Sequence, residues 1–250
     1  MRAALAAAPE RAAARLWVAA IGKAATAMAL GAHDALGTAI ERTLIITHAS
    51  IGLPELRTRC APEVWLSAHP VPDERSLAAG QRLLAWVEEL PVAARPLFLI
   101  SGGSSSLVEV LRPDTTLRDL EELTRMALAG GLGIGELNAR RAALSRIKGG
   151  QLAAHLQGRA GRALFVSDVP DDDPRVIGSG LMGPAISGAD HIERQVVACV
   201  DHAVAAVASG ATALGLEAHA APRRFHGAAA RLAARFAHEL RLFLPRCEEA

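Results

Sequence analysis

The sequence predicts an α/β fold in which helices cover both faces of a mainly parallel sheet of about six strands. Short, continuous apolar runs alternate along the chain with longer segments whose apolar residues recur at helical spacing. Gly, Pro or polar residues bound each apolar run, which is typical of buried strands. Strands that alternate with helices need crossover connections, and these make neighbouring strands parallel and place helices on both faces.

The predicted elements follow one another in a regular order. The strong strand candidates are residues 16–21, 43–47, 63–67, 96–100 and 163–167, and a weaker one is 216–220. Helical patterns occupy residues 23–36, 73–90, 117–129, 192–214 and 225–244. Asp73 is predicted to cap the second of these helices. Residues 116–119 and 190–193 have the spacing of capping boxes, so a helix is predicted to begin at each.

Length and composition limit the class of protein. The 250 residues contain neither an internal repeat nor a low-complexity linker, so a single domain over residues 1–250 is predicted. The net charge of +1 produces no field that would favour nucleic acid or an anionic membrane. No apolar run approaches the roughly 18 residues of a membrane span. The three cysteines are far apart and outside any metal-binding spacing, which indicates reduced thiols in a cytoplasmic protein.

Two glycine-containing loops directly follow predicted strands, where parallel sheets bind their ligands. In IGKAATAMA, residues 21–29, a glycine and Lys23 precede a helix. This pattern suits an anion, but it also describes an ordinary helix start. In LISGGSSSL, residues 99–107, the backbone N–H groups around Gly102 and Gly103 would form an anion-binding nest, unless the loop is only a flexible turn.

A third loop, SDVPDDDPRVIGSG at residues 167–180, is acidic. Asp168 directly follows a predicted strand, and three further aspartates follow at 171–173. Carboxylates suit Mg²⁺, which takes one or two of them together with substrate phosphates, but a run of charges also occurs in solvated turns. His69 is a further candidate, because two neighbouring prolines hold its loop rigid.

Five segments of the chain carry a family resemblance: GKAATAMA, AHPVPDE, SGGSSSL, ELNARRAALSRIKGGQLA and SDVPDDDPRVIGSG. In this order, and over nearly the whole chain, they resemble the N-terminal domain of glycerate 2-kinases of the MOFRL-associated type. The resemblance implies a Rossmann-like three-layer α/β/α domain. It also implies transfer of the γ-phosphoryl group of ATP to the 2-hydroxyl of D-glycerate, or of a similar small hydroxy acid, with Mg²⁺.

The resemblance assigns roles to particular residues. Lys23 corresponds to the family's lysine after the first strand, and Asp168 to the aspartate of the S-D-V segment. Phosphoryl transfer needs charge neutralisation and positioning, so Lys23 would hold an anionic group. Asp168 would bind Mg²⁺ or orient the attacking hydroxyl. The other matches are predicted to bind substrate or phosphate: Ser101, Gly102, Gly103, Ser104, Asn138, Arg141, Lys148 and His69.

The chain departs from the family pattern in its loops. Ser104 stands where the family has Gly, and Ala142 and Ala143 stand where it has Lys and His. From Leu181 onward the usual S-G-P-T pattern is absent. Because these changes fall in predicted ligand loops, a non-catalytic binding or assembly module that keeps the fold is an alternative function.

The resemblance also concerns partners. Members of the family continue into a second, MOFRL domain that closes the active-site cleft, whereas this chain ends at FLPRCEEA. The leading hypothesis is a kinase half that works with a separately supplied MOFRL-domain chain. A truncated product with an exposed apolar cleft face is a third hypothesis. A homodimer is a further alternative, and neither nucleic acid nor a membrane is expected as a partner.

Overall fold

The computed structural model describes residues 1, 4–5, 15–130, 134–184, 191–220 and 229–243. Its six strands form one parallel sheet. They are β1 (Arg15–Ile21), β2 (Ile40–Thr47), β3 (Glu63–Leu66), β4 (Ala94–Ile100), β5 (Gly161–Val166) and β6 (Ile192–Ala198). Their order is β3-β2-β1-β4-β5-β6. The chain builds outward from β1 to β3 and then returns to the other side of β1, so the gap between β1 and β4 is the topological switch point.

Helices connect the strands and follow the last one. They are α1 (Ala25–Leu36), α2 (Leu53–Arg57), α3 (Glu74–Glu88), α4 (Ser104–Leu107), α5 (Leu117–Leu128), α6 (Ile134–Leu144), α7 (Gln151–Ala154), α8 (Val200–Ala213) and α9 (Ala229–Phe243). Short 3₁₀ turns lie at Gly37–Ala39 and Ile177–Ser179. Asp73 and Thr116 cap α3 and α5 as predicted, and each cap is a complete capping box.

Alternate residues of β1 pack on opposite faces of the sheet. Trp17 and Ile21 belong to one apolar core, which α3 covers, and Val18 belongs to the other, which α1 and α2 cover. Trp86 of α3 is fully buried, and its ring centroid lies 5.6 Å from Trp17 and 5.9 Å from Phe98. The predicted three-layer α/β/α fold with a parallel sheet is therefore confirmed, and both faces of β1 are buried, as expected for a central strand.

Two predicted elements near the end of the sheet are wrong. Residues 192–198, assigned to a helix, form the edge strand β6, which pairs in parallel with β5. The helix begins only at Val200, and the capping box predicted at 190–193 fails because Ile192 and Glu193 lie in β6. Its Asp190 lies outside the described residues. The apolar residues of this segment fit helical and strand spacing equally well, and only pairing with β5 decides between the two. Residues 216–220, predicted as the sixth strand, are exposed and irregular.

The chain divides into two compact units, Met1–Val200 and Asp201–Ala250. The first contains the whole sheet and the helices α1 to α7, and the second contains α9 and all but the first residue of α8. The single domain over residues 1–250 stays a prediction. Within the described ranges, no helix is both long and apolar enough to cross a membrane.

Glu63 of β3 is the centre of an ion-pair network that joins β2, β3 and α3. Its Oε2 accepts hydrogen bonds from Arg82 Nη2 at 2.9 Å and Arg42 Nη2 at 3.2 Å, and its Oε1 accepts one from Trp65 Nε1 at 3.0 Å. The hydrogen bonds from Arg82 are the main cause that lowers the pKa of Glu63 to about 2, although partial burial acts in the opposite direction. Ionised Glu63 therefore stabilises this edge of the sheet.

Acid should weaken this network. The folded-state pKa of Glu63 lies below its ordinary value of 4.5, so the stabilisation is complete above pH 4.5 and is lost as the pH falls through about 2. We expect Glu63→Gln to lower the free energy of unfolding at pH 7 by about 1–2 kcal/mol, because solvent screens a surface network. The loss should be smaller at pH 2. Urea unfolding at both pH values measures the difference.

Glu88→Gln provides the matched control, because Glu88 is exposed on α3 and lies outside the network. Its free energy of unfolding should follow that of the wild type within about 0.5 kcal/mol at both pH values. An equal loss for Glu63→Gln at pH 7 and pH 2 would contradict the assignment.

Candidate active site

The loops after β1 and β4 meet at the switch point through their backbones. The N–H of Ser101 donates to the carbonyl of Ile21 at 3.0 Å, and the N–H of Lys23 donates to the carbonyl of Gly102 at 2.9 Å. The side-chain Oγ of Ser101 accepts a third hydrogen bond, from the N–H of Ala24 at 3.0 Å. Two loops that are about eighty residues apart in sequence are thus held as one surface at the carboxyl ends of the strands.

Gly22 makes this approach possible. Its φ is +129°, and a Cβ at this position would lie 2.6 Å from the carbonyl oxygen of Ser101. Any side chain would therefore displace the β4 loop as well as strain its own backbone. The glycine of IGKAATAMA is needed for the close approach of two loops, which is a stronger requirement than the start of a helix.

The glycine-rich loop presents unused hydrogen-bond donors. Among the described residues, the N–H groups of Gly102, Gly103 and Ser105 find no acceptor, whereas the N–H of Ser104 donates to the carbonyl of Ser101 at 3.4 Å. The three residues are partly open to solvent. Consecutive N–H groups of this kind attract anions, so the loop has the donors that the sequence predicted for a nest.

Titratable side chains from the ends of β1, β3 and β5 lie over the two glycines. A Cβ at Gly102 would lie 2.7 Å from Cγ of Asp168, which follows β5. A Cβ at Gly103 would lie 3.0 Å from Cδ2 of His69, which follows β3, and 3.2 Å from Cε of Lys23. Only hydrogen atoms at the two glycines leave room for these side chains.

The side chains of Lys23, Asp168 and His69 make no hydrogen bond or ion pair with the part of the chain that the structure describes. Lys23 and Asp168 are exposed, and His69 is half-buried. Acidic and basic groups that are brought together without being paired have their chemistry free for a ligand. The structure therefore brings together the predicted residues Lys23, His69, Gly102, Gly103 and Asp168.

His48 is a member of this cluster that the sequence analysis missed. It follows β2 directly, and its ring centroid lies 5.7 Å from that of His69. Burial, and then the charges of Lys23 and His48, lower the pKa of His69, while Asp168 acts in the opposite direction. The imidazole of His69 is accordingly neutral at pH 7. The position of His48 directly after a strand was the available signal, because Lys23, Gly102, Gly103 and Asp168 were found in the same way.

Asp172 and Asp173 of the acidic run differ from Asp168 because they belong to the structure of the turn. Oδ1 of Asp173 accepts a hydrogen bond from the N–H of Arg175 at 2.8 Å, and its carboxylate pairs with the Arg175 guanidinium. Asp172 has a φ of +54°, which belongs to a turn. Asp173 thus shapes the loop. No group of three or more His, Cys, Asp or Glu side chains that could hold a metal ion occurs in the described ranges.

Three predicted site residues lie apart from the exposed cluster: Asn138, Arg141 and Lys148. Among the described residues, none of their side chains contacts Lys23, His69 or Asp168. Asn138 accepts a hydrogen bond from Ser179 Oγ at 2.9 Å and donates to the carbonyl of Val176 at 3.4 Å. Arg141 is buried and donates to Oγ1 of Thr124 at 3.3 Å. Lys148 is fully buried, and its ammonium donates to backbone carbonyls. These three side chains support the loops from within.

The segment from Leu181 onward, where the family pattern ends, is part of the core. Leu181 and Met182 are fully buried in the core cluster that contains α3. Arg194 of β6 donates to the carbonyls of Met182 at 2.7 Å and Gly183 at 2.9 Å. The changed residues therefore pack against the end of the sheet, and residues 185–190 lie outside the described ones.

Fold and site together define a doubly wound α/β domain whose switch point carries a loop suited to binding an anion. Residues 2–206 match the family described as "Domain of unknown function (DUF4147)", and the chain belongs to that family. The match covers most of the first compact unit. The chain corresponds to the N-terminal domain of the glycerate kinase family, so the resemblance stated from the five segments is confirmed.

Named relatives point in the same direction. The chain is 35% identical over 173 residues to D-glycerate 2-kinase of Thermotoga maritima, covering 68% of this chain and 40% of that protein. It is 34% identical over 166 residues to glycerate 2-kinase of Pyrococcus horikoshii, covering 66% and 36%. It is also 37% identical over 172 residues to an Agrobacterium vitis protein with the provisional name of hydroxypyruvate reductase, covering 69% and 38%.

Solved structures agree with the fold. The crystal structure of the Thermotoga maritima glycerate kinase matches with a TM-score of 0.68 at 27% identity, covering 84% of this chain and 59% of that one. The chain spans about 40% of the length of the curated relatives that it matches.

The close approach at Gly22 can be separated from its backbone conformation. Gly37 also has a positive φ, +53°, but a Cβ there would meet nothing within 4 Å. Because Gly37 has a ψ of −123° and lies outside the left-handed α region, we expect Gly37→Ala to lower the free energy of unfolding by about 1–3 kcal/mol through backbone strain alone. Gly22→Ala should cost at least about 3 kcal/mol, because it adds a clash with the β4 loop. Urea unfolding of both variants measures the costs, and equal losses would show that the clash is absent.

Proposed function

We propose that this domain carries out the glycerate kinase-like half of a phosphoryl transfer, from ATP to the 2-hydroxyl of D-glycerate or a similar small hydroxy acid. The convergence of Lys23, Asp168 and the free amides of Gly102 and Gly103 at the switch point is the observation that carries the proposal. Phosphoryl transfer depends mainly on positioning and on neutralising charge, and these groups supply both.

The residues divide the chemistry between them. The Lys23 ammonium and the N–H groups of Gly102 and Gly103 would hold the phosphoryl oxygens. Asp168 would orient the attacking hydroxyl and take its proton as the oxygen–phosphorus bond forms and the bond between the γ-phosphorus and the bridging oxygen breaks. ADP then leaves with the electron pair of the broken bond. His69, neutral and next to His48, is suited to donate a hydrogen bond to the carboxylate of the hydroxy acid.

Mg²⁺ fits this site only as an ion that arrives with the nucleotide. Asp168 is an exposed carboxylate beside the free amides, while Asp173 is already paired with Arg175. One protein carboxylate with phosphates and water is a common Mg²⁺ environment. When bound, the ion would neutralise phosphate charge, and Asp168 would be its protein ligand.

A separate chain is proposed as a partner. The curated relatives are more than twice as long as the matched part, and the groups at the switch point are open to solvent. We infer that a MOFRL-type domain on another polypeptide completes the cleft and excludes water from it. The isolated domain would then bind ligands weakly and turn over slowly.

The changes in the glycine-rich loop are compatible with catalysis. Ser104, which replaces a family glycine, is fully buried, and a Cβ at Gly178 would lie 3.4 Å from its Cβ and nearer to its Oγ. The side chain therefore packs on Gly178 and leaves the neighbouring amides free. A non-catalytic binding module remains the alternative, favoured by the loss of the basic groups at Ala142 and Ala143.

A reductase function is disfavoured by the first loop. Nicotinamide dinucleotides are bound by a glycine-rich turn with three spaced glycines after β1. Here Gly22 is followed by Lys23-Ala24-Ala25, and only one glycine stands in the turn. The name of the Agrobacterium vitis relative is therefore not carried to this chain.

The assay combines the chain, Mg·ATP and D-glycerate, with and without a separately produced MOFRL domain of a relative. We expect phosphoglycerate, identified by ³¹P NMR, and at least a 100-fold loss of turnover in both Lys23→Met and Asp168→Asn, because each removes a charge at the transferred group. Asp171→Asn is the matched control, since Asp171 is exposed in the same acidic loop and should keep wild-type turnover.

Failure of every mixture to phosphorylate glycerate would contradict the kinase proposal. If, in addition, Lys23→Met still binds the ligands, the results favour the non-catalytic binding module.

A further inference from the structure

Lys148 meets the glycine-rich loop from inside the core. The chain contains two lysines, Lys23 and Lys148. Lys23 is exposed beside Gly103, whereas Lys148 is fully buried. Its Nζ donates to the carbonyl of Ser104 at 3.3 Å and to that of Val108 at 2.8 Å. These carbonyls lie at the two ends of the four-residue helix α4, which follows the glycines directly.

The backbone of Lys148 is held on its N-terminal side by Ser145. The Oγ of Ser145 accepts hydrogen bonds from the N–H of Ile147 at 3.1 Å and of Lys148 at 3.0 Å, and donates to the carboxylate of Glu109. Glu109 is buried, and its other oxygen Oε2 has no hydrogen-bond partner in the described chain. The turn that carries Lys148 is thus attached to the strand-like segment just beyond α4.

The two glycines after Lys148 hold its turn on the other side. Gly149 donates its N–H to the carbonyl of Ser179 at 2.9 Å, and Gly150 donates to that of Gly180 at 2.7 Å. Gly178 of the same loop packs against Ser104. The Ser104 segment is therefore enclosed between Lys148 and the loop that follows Asp168.

A buried cluster of charges surrounds the ammonium. Glu109, Arg141 and Lys148 are all buried, so two cations face one anion. The pKa of Lys148 is lowered to about 8, chiefly by burial; Glu109 acts in the opposite direction, and Arg141 adds a smaller lowering effect. Burial also lowers the pKa of Arg141, against the effect of Glu109. A buried positive charge of this kind costs folding free energy, and it is tolerated here with hydrogen bonds to two carbonyls.

We propose that Lys148 is a positioning residue, which fixes α4 from within so that the N–H groups of Gly102, Gly103 and Ser105 stay open to an anion. It touches the carbonyls of the loop segment and not the ligand. The identity of the anion as a nucleotide phosphate rests on the proposed function, whereas the order of the loop does not. Because the ammonium donates charge-assisted hydrogen bonds, removing its charge should loosen the loop.

Amide hydrogen exchange at pH 7 distinguishes the two lysines. In Lys148→Met we expect the peptide that covers residues 101–107 to exchange at least tenfold faster than in the wild type. In Lys23→Met the same peptide should exchange at the wild-type rate, because the Lys23 side chain makes no hydrogen bond with the described residues and the backbone bond from Lys23 to Gly102 is kept. The peptide of α1 serves as the internal reference. Unchanged exchange at 101–107 in a folded Lys148→Met variant would overturn the proposal.

Binding of inorganic pyrophosphate adds a readout that a merely structural lysine would not move. Lysine labelled with ¹³C at Cε gives two side-chain signals, and the loss of one of them in Lys23→Met assigns both. In the wild type the Lys148 signal should titrate near pH 8, and saturating pyrophosphate should move that midpoint upward, because binding and protonation are reciprocally linked. Affinity for pyrophosphate should correspondingly fall above pH 8. This arm uses the wild type, so it decides the question even if Lys148→Met does not fold.

The results separate this inference from the kinase proposal. Faster loop exchange in Lys148→Met without phosphorylation in any mixture would leave the positioning role standing and remove only the kinase. Normal loop exchange in Lys148→Met together with lost pyrophosphate binding would show that Lys148 contacts the anion directly. A Lys148 midpoint that does not respond to pyrophosphate would likewise contradict the positioning role.

Discussion

The close approach of the loops after β1 and β4 is the constraint on which the rest of the site depends. Three hydrogen bonds join the two loops, and the φ and lack of side chain at Gly22 leave room for Ser101. This contact sets Lys23 over Gly103, because Lys23 is the next residue along the turn. The strand order then adds the ends of β2, β3 and β5 to the same edge, so residues far apart in sequence become neighbours.

Polar groups on the solvent side of the glycine-rich loop have no partners within the described chain, whereas those beneath the loop are joined by hydrogen bonds. On the solvent side, Lys23 and Asp168 remain unpaired within the described chain, which a surface tolerates because water solvates them. Beneath the loop, Lys148, Glu109 and Ser145 are linked by hydrogen bonds, since a buried polar group without partners is costly. One side is thereby free to bind, and the other keeps it in shape.

Local chemistry could be predicted from the sequence, whereas long-range pairing could not. The caps at Asp73 and Thr116 were predicted, Asp73 as an N-cap and Thr116 as part of a capping box, because a helix cap depends on residues within the first turn. The strand Ile192–Ala198 was mistaken for helix, because its short apolar pattern fits either period until β5 supplies a partner. Among the site residues, Lys23 and Asp168 were found by their place after strands. His48 occupies an equivalent place and was missed, because a lone histidine carries no spacing signal.

The sequence by itself determined the alternation of strands and helices as far as β5, the caps at Asp73 and Thr116, and which residues follow β1, β4 and β5, because each of these depends on neighbours within one or two turns of chain. Tertiary structure alone decided which strand ends meet, that Asp168 lies against Gly102, and that Lys148 points into the core while Lys23 stays in solvent. The physical reason is the strand order. Crossing back from β3 to β4 places residues about eighty positions apart within hydrogen-bonding distance, and burial then separates two lysines that the sequence presents alike.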